Sequence, residues 1–106
     1  MQDDVIFSRA AGTLAAKIQC EIDHHTARRI RERIDERLIS ERPSILVLDF
    51  SGVTFMDSSG LGLILGRCER ADVLGASVRL TGLSDTLYKL VHLCGIERVK
   101  NLSVRC

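Results

Sequence analysis

Two adjacent hydroxyls, Ser58 and Ser59, stand between an acidic residue and a glycine in the run Phe55-Met56-Asp57-Ser58-Ser59-Gly60-Leu61-Gly62. An apolar, strand-like segment precedes the run and helix-forming sequence follows it, so a helix is expected to open on the serines. The first N–H groups of a helix have no internal partner and carry the positive end of its dipole, which favours an oxygen or a phosphate there. Three chemistries suit the position: phosphate acceptance, N-capping and nucleophilic catalysis. Asp and Ser are the commonest capping residues. Catalysis needs a base and an oxyanion hole. The candidate bases are His24, His25 and His92, and no spacing ties any of them to the serines. The hydrolase elbow Gly-x-Ser-x-Gly is not present.

Other motifs are weaker. Gly60-Leu-Gly62-Leu-Ile-Leu-Gly66 has its third glycine one place late for a dinucleotide fingerprint, and no Walker lysine follows. Inside a helix Gly62 and Gly66 each cost about 1 kcal/mol relative to Ala, so something else favours them. Close packing of the helix on a sheet and close approach of a partner along the helix both account for the pair. Asp23-His24-His25 are neighbours that a helix splays roughly 100° apart, a poor geometry for one metal ion. Cys20, Cys68, Cys94 and Cys106 are scattered, without zinc-ligand spacing. Asp49 at a strand end raises the idea of a phosphoaspartate receiver, but the acidic pair Asp3-Asp4 precedes the first strand rather than ending it. No metal and no cofactor are expected.

These residues need a frame. Val5 to Arg9 and Leu14 to Cys20 read as two strands of a hairpin joined by a tight Ala-Gly-Thr connection. Asp23 caps an amphipathic helix with Ala27, Ile30, Ile34 and Leu38 on one side, stopped by Pro43. Ile45 to Leu48 is a continuous apolar run, expected at the sheet centre and buried on both faces. The helix opened by the serines buries Leu61, Ile64, Leu65, Cys68 and Ala71 and ends near Gly75. Ser77 to Leu80 forms a strand, Ser84 caps a third helix carrying Leu87, Leu90, Val91 and Cys94, and Ile96 to Val99 forms a last strand. The arrangement is an α/β single domain, a mixed four- to five-stranded sheet with packed helices and right-handed crossovers.

Composition narrows the function classes. Hydrophobic residues make up 45% and charged residues 27% of the 106, as in a globular domain able to fold unaided. A net charge of +1 gives no global field for nucleic acid or anionic lipid. The six arginines from Arg28 to Arg42 are interleaved with Glu32, Asp35, Glu36 and Glu41, which reads as a solvated, ion-paired face. No apolar run approaches the roughly 20 residues of a membrane span. The N-terminus lacks signal-peptide character, so a cytoplasmic setting with reduced thiols is expected.

Two blocks, Glu21-Ile22-Asp23-His24-His25-Thr26-Ala27 and Phe55-Met56-Asp57-Ser58-Ser59-Gly60-Leu61-Gly62, followed by Ile64-Leu65-Gly66-Arg67, are together far more specific than either serine. In these residues and their separation the chain resembles the anti-sigma factor antagonists of the STAS family, the sporulation type above all, over nearly its whole length. The resemblance implies an α/β fold, partner switching without catalysis, and a free monomer. In this family the unphosphorylated antagonist binds an anti-sigma factor that is also a serine kinase with its own bound nucleotide, and so releases the sigma factor. Phosphorylation ends that binding and a serine phosphatase restores it. Carried over by position, Ser58 is the phosphoacceptor, and Asp23, Asp57, Ser59, Gly60 and Gly62 shape the partner-binding surface. Direct contact with nucleic acid or membrane is not implied. The other role open within the family is a scaffold or signalling module of a stress-response complex.

There are two departures. Cys20 stands where the family pattern has glycine, and the chain ends at Cys106 before the final amphipathic helix expected of this group.

Overall fold

The structure is a computed structural model that describes residues 4–105. Asp3 and Cys106, both weighed above, lie outside the described residues. Strand β1 (Val5–Ala10) turns into β2 (Thr13–Ile18) through Ala11 and Gly12, both at positive φ. That combination is the type I′ geometry whose twist suits a two-residue hairpin. Helix α1 (His24–Glu41), β3 (Ile45–Asp49), α2 (Ser58–Val73), β4 (Ser77–Thr81) and α3 (Asp85–Leu93) follow. A 3₁₀ turn (Ile96–Arg98) then leads to β5 (Leu102–Val104).

The five strands lie side by side in chain order, β1 antiparallel to β2 and the remaining pairs parallel. Their register aligns Leu14, Leu46, Val78 and Leu102 in one row and Ala16, Leu48 and Leu80 in the next, all buried. Ile30, Ile34 and Leu38 of α1 and Ile64, Cys68 and Ala71 of α2 close the same core. Burial at i, i+4 and i+8 on α1 is the stripe that its periodicity implied.

Three expectations need correction. β3 is central, but burial alternates along it. Leu46 and Leu48 are buried, whereas Ile45 and Val47 are half-buried on the face opposite the core. Its continuous apolar run therefore reflects one packed face and one partly open face. On α2, Leu65 is 39% exposed and Leu61 only half-buried, while Leu63 and Arg67 are buried instead. The helix is rotated so that a charged residue shares the inner face. Finally, Ile96 to Val99 is no strand: Ile96 and Val99 are three apart, the period of the 3₁₀ turn found there. The last strand starts after Asn101, whose Nδ2 donates to the carbonyls of Cys68 (3.0 Å) and Ala76 (3.2 Å). This fixes the approach of Leu102 to Val78.

Candidate functional site

The two sequence blocks meet through a single parallel bridge. Ile22 pairs with Met56: the Ile22 N–H donates to the Phe55 carbonyl at 2.9 Å, and the Asp57 N–H to the Ile22 carbonyl at 3.1 Å. Both bridge residues are buried, Ile22 completely. The next residue on each side is an N-cap, so the bridge sets the starts of α1 and α2 beside each other. Two positive dipole ends thus open on one surface.

Asp23 Oδ1 accepts from the backbone N–H groups of His25 and Thr26, both at 2.9 Å. Thr26 Oγ1 in turn accepts from the Asp23 N–H at 2.9 Å and donates to the Glu21 carbonyl at 2.7 Å. This is a capping box with Thr at its third position. The Thr26 and His25 donors hold the Asp23 carboxyl below its ordinary range. Asp57 Oδ1 accepts from the Ser59 N–H at 2.8 Å. Capping therefore falls to Asp57, and Ser58, the first residue of α2, is exposed with its hydroxyl free for other chemistry. Ser59, the next residue, is half-buried.

The glycines divide by role. A Cβ on Gly60 would lie 2.6 Å from Met56 Sδ and 2.9 Å from its Cγ, so the bridge residue itself demands glycine there. At Gly62 and Gly66 a Cβ would meet nothing within 4 Å. Packing against the sheet is therefore not their reason. They face an open groove of about 590 Å³ between α1 and α2, lined also by His24, Arg28, Arg31, Ser59 and Arg67. On the other side of the motif, Phe55 is 52% exposed and joins Met56, Leu87, Leu90 and Leu93 around an apolar groove of about 370 Å³.

The bridge brings the two blocks side by side, and His24, Ser59 and Gly62 share the groove. Of the candidate bases, His24 lines the groove that Ser59 also lines, whereas His92 is on α3, paired with Glu97 and stacked on Tyr88. The arginine-rich face is ion-paired in part: Arg29 with Asp4 at 2.8 Å, and Arg37 with Glu41, which also pairs with Arg9 of β1 at 2.9 Å. Arg33 and Arg37 also lie over the Phe7 ring. Sequence reasoning quoted Arg67 only as part of the second block and missed its burial: it is 4% exposed with Nε 2.7 Å from Asp35 Oδ1. Burial lowers the Arg67 pKa, and the neighbouring Asp35 partly offsets this. The available signal was positional: Arg67 falls in phase with Ile64 and Ala71, and Asp35 follows Ile34 on the buried side of α1. Among the described residues no helix is long and apolar enough to cross a membrane.

The STAS domain profile matches residues 6–104 of this chain. An anti-sigma F factor antagonist of Paenibacillus polymyxa is 31% identical over 83% of this chain and 75% of its own length. An anti-sigma-B factor antagonist of Listeria monocytogenes is 32% identical over 74% of this chain and 68% of its own. The structure of the anti-sigma factor antagonist SpoIIAA in its unphosphorylated form superposes with a TM-score of 0.69 at 27% identity, over 84% of this chain and 82% of that one.

Proposed function

We propose, from the premise that this chain belongs to the STAS domain family, that Ser58 is the switch residue of an anti-sigma factor antagonist. The anti-anti-sigma role is the one its relatives carry by name, in both the F and the B systems. The chain acts by binding rather than by turnover: unphosphorylated, it occupies an anti-sigma factor and the sigma factor goes free. That anti-sigma factor is a serine kinase that brings its own nucleotide, transfers a phosphate to Ser58 and thereby ends the contact. A serine phosphatase resets the cycle, and the whole exchange takes place in the cytoplasm with the free antagonist as a monomer.

One observation carries this reading. The Ile22–Met56 bridge sets an exposed serine at the first position of α2, next to a second helix start, with its own cap supplied by Asp57 rather than by the serine. A phosphate there adds about 1.5 to 2 negative charges, which the helix start tolerates and a fitted partner surface does not. Asp23 and Asp57 add to that negative potential, and Ser59, Gly60 and Gly62 complete the contact surface.

The test is intact mass after incubation with ATP and an anti-sigma kinase, with fragmentation to place the phosphate. One phosphate on Ser58, lost in Ser58→Ala, is expected. Ser58→Asp is expected to bind the anti-sigma factor more weakly than Ser58→Ala, and equal binding would overturn the switch.

A further inference from the structure

The α1–α2 groove beside the serines holds positive charge without an acidic residue among those lining it. Arg28 and Arg31 are exposed along one wall, Arg67 forms part of the floor, and His24 stands at the end near Ser59. Neither Arg28 nor Arg31 has an ion-pair partner among the described residues, unlike Arg29 and Arg37 on the same helix. Arg67 is more than nine-tenths buried, yet its Nη1 has no hydrogen-bond partner among the described residues. Its Nε contact with Asp35 is an ion pair too poorly aligned to count as a hydrogen bond. A buried guanidinium left partly unpaired is costly, and a carboxylate is the group whose two oxygens suit it. Gly62 and Gly66 leave the second wall bare, so a chain segment can lie against the backbone of α2.

From this we infer that the groove seats an acidic segment of the anti-sigma factor, with carboxylates on the exposed Arg28 and Arg31. The inference rests on the function proposed above and extends the contact along α2 away from Ser58. It also accounts for the glycine pair, which admits a partner's backbone where any larger side chain would hold it off. Unphosphorylated Ser58 then gates one end of a surface whose charge attraction lies at the other.

The test is calorimetric titration of the full chain with the anti-sigma F factor that the Paenibacillus polymyxa relative is named for opposing. The variants are R28E/R31E, Gly66→Gln and, as a distant control, Arg98→Glu. The double reversal is expected to weaken binding about tenfold or more and to flatten its salt dependence between about 50 and 500 mM, because screened attraction is what it removes. Gly66→Gln is expected to weaken binding by filling the groove, and Arg98→Glu to leave it within about twofold. Thermal melts check that each variant is folded. If R28E/R31E and Gly66→Gln both bind as the unaltered chain does, the groove is not a contact and the inference is overturned, while the switch at Ser58 stands. If the unaltered chain binds no anti-sigma factor and, in a separate incubation with that factor and ATP, accepts no phosphate, the proposed function itself fails.

Discussion

Gly60 and Gly62 lie two residues apart in α2 and meet opposite surroundings. A methyl on Gly60 collides with Met56, so Gly60→Ala is expected to cost about 1 to 3 kcal/mol through overpacking. A methyl on Gly62 enters open space, and Gly62→Ala is expected to gain about 0.5 to 1 kcal/mol from helix propensity. Urea unfolding of the two variants reads the contrast directly. Asp23 adds a pH dependence. Its carboxyl is held below the ordinary range by the Thr26 and His25 N–H groups. The contribution is therefore present above the unfolded value of about 3.9 and is lost as pH falls through the lower folded value. Asp23→Asn keeps a capping oxygen, and its urea midpoint is expected to fall less on acidification than that of the unaltered chain. The thiols differ as their surroundings do. Burial pushes Cys68 up to about 11, and burial with nearby Asp4 raises Cys20, while Cys94 is exposed. Among the three described thiols, mass-mapped alkylation near pH ~8 is expected to label Cys94 first, Cys20 later, and Cys68 only on unfolding.

The elements show where sequence patterns speak and where they fall silent. α1 was legible from Ile30, Ile34 and Leu38, and its cap from Asp23, because both signals are local. Ser84 was equally readable as the cap of α3, its Oγ accepting from the Leu87 N–H at 3.2 Å. The rotation of α2 was not legible. Leu65 looks more buriable than Arg67 until Asp35, a residue of another helix, supplies the charge that lets the arginine inside. Nor was β5: Ile96 to Val99 has the apolar content of a strand, and only the long-range bonds of Asn101 show which segment reaches β4. At the hairpin, Ala11 sits at φ 46° where L-residues with a Cβ are strained. Ala11→Gly is expected to raise stability by about 0.5 kcal/mol, the relief exceeding the added chain entropy. A thermal melt a few degrees higher is the readout.

At the scale of the whole molecule, the helices and the core occupy one side of the sheet, and the proposed switch surface lies at one end of that packed layer. Ser58 is exposed at the first position of α2, outside the buried core. Phosphorylated and unphosphorylated chains are therefore expected to melt within about 2 °C of each other, since surface changes away from buried features stay near ±0.5 kcal/mol. A large loss of stability on phosphorylation would mean that release works by unfolding instead. The candidate site was legible as two motifs, each a cap followed by helix-forming sequence. Their meeting was implied only by the family resemblance and by no residue pattern, because one backbone bridge between buried residues leaves no periodicity of its own.

The Ile22–Met56 bridge has a consequence for when this surface comes into being. It joins segments separated by the whole of α1 and β3, and such non-local contacts form only after the cost of closing the intervening chain has been met. Neither helix start alone presents the paired arrangement. A nascent or misfolded copy thus displays the serines without the surface around them, and a partner that reads both caps together counts only finished molecules.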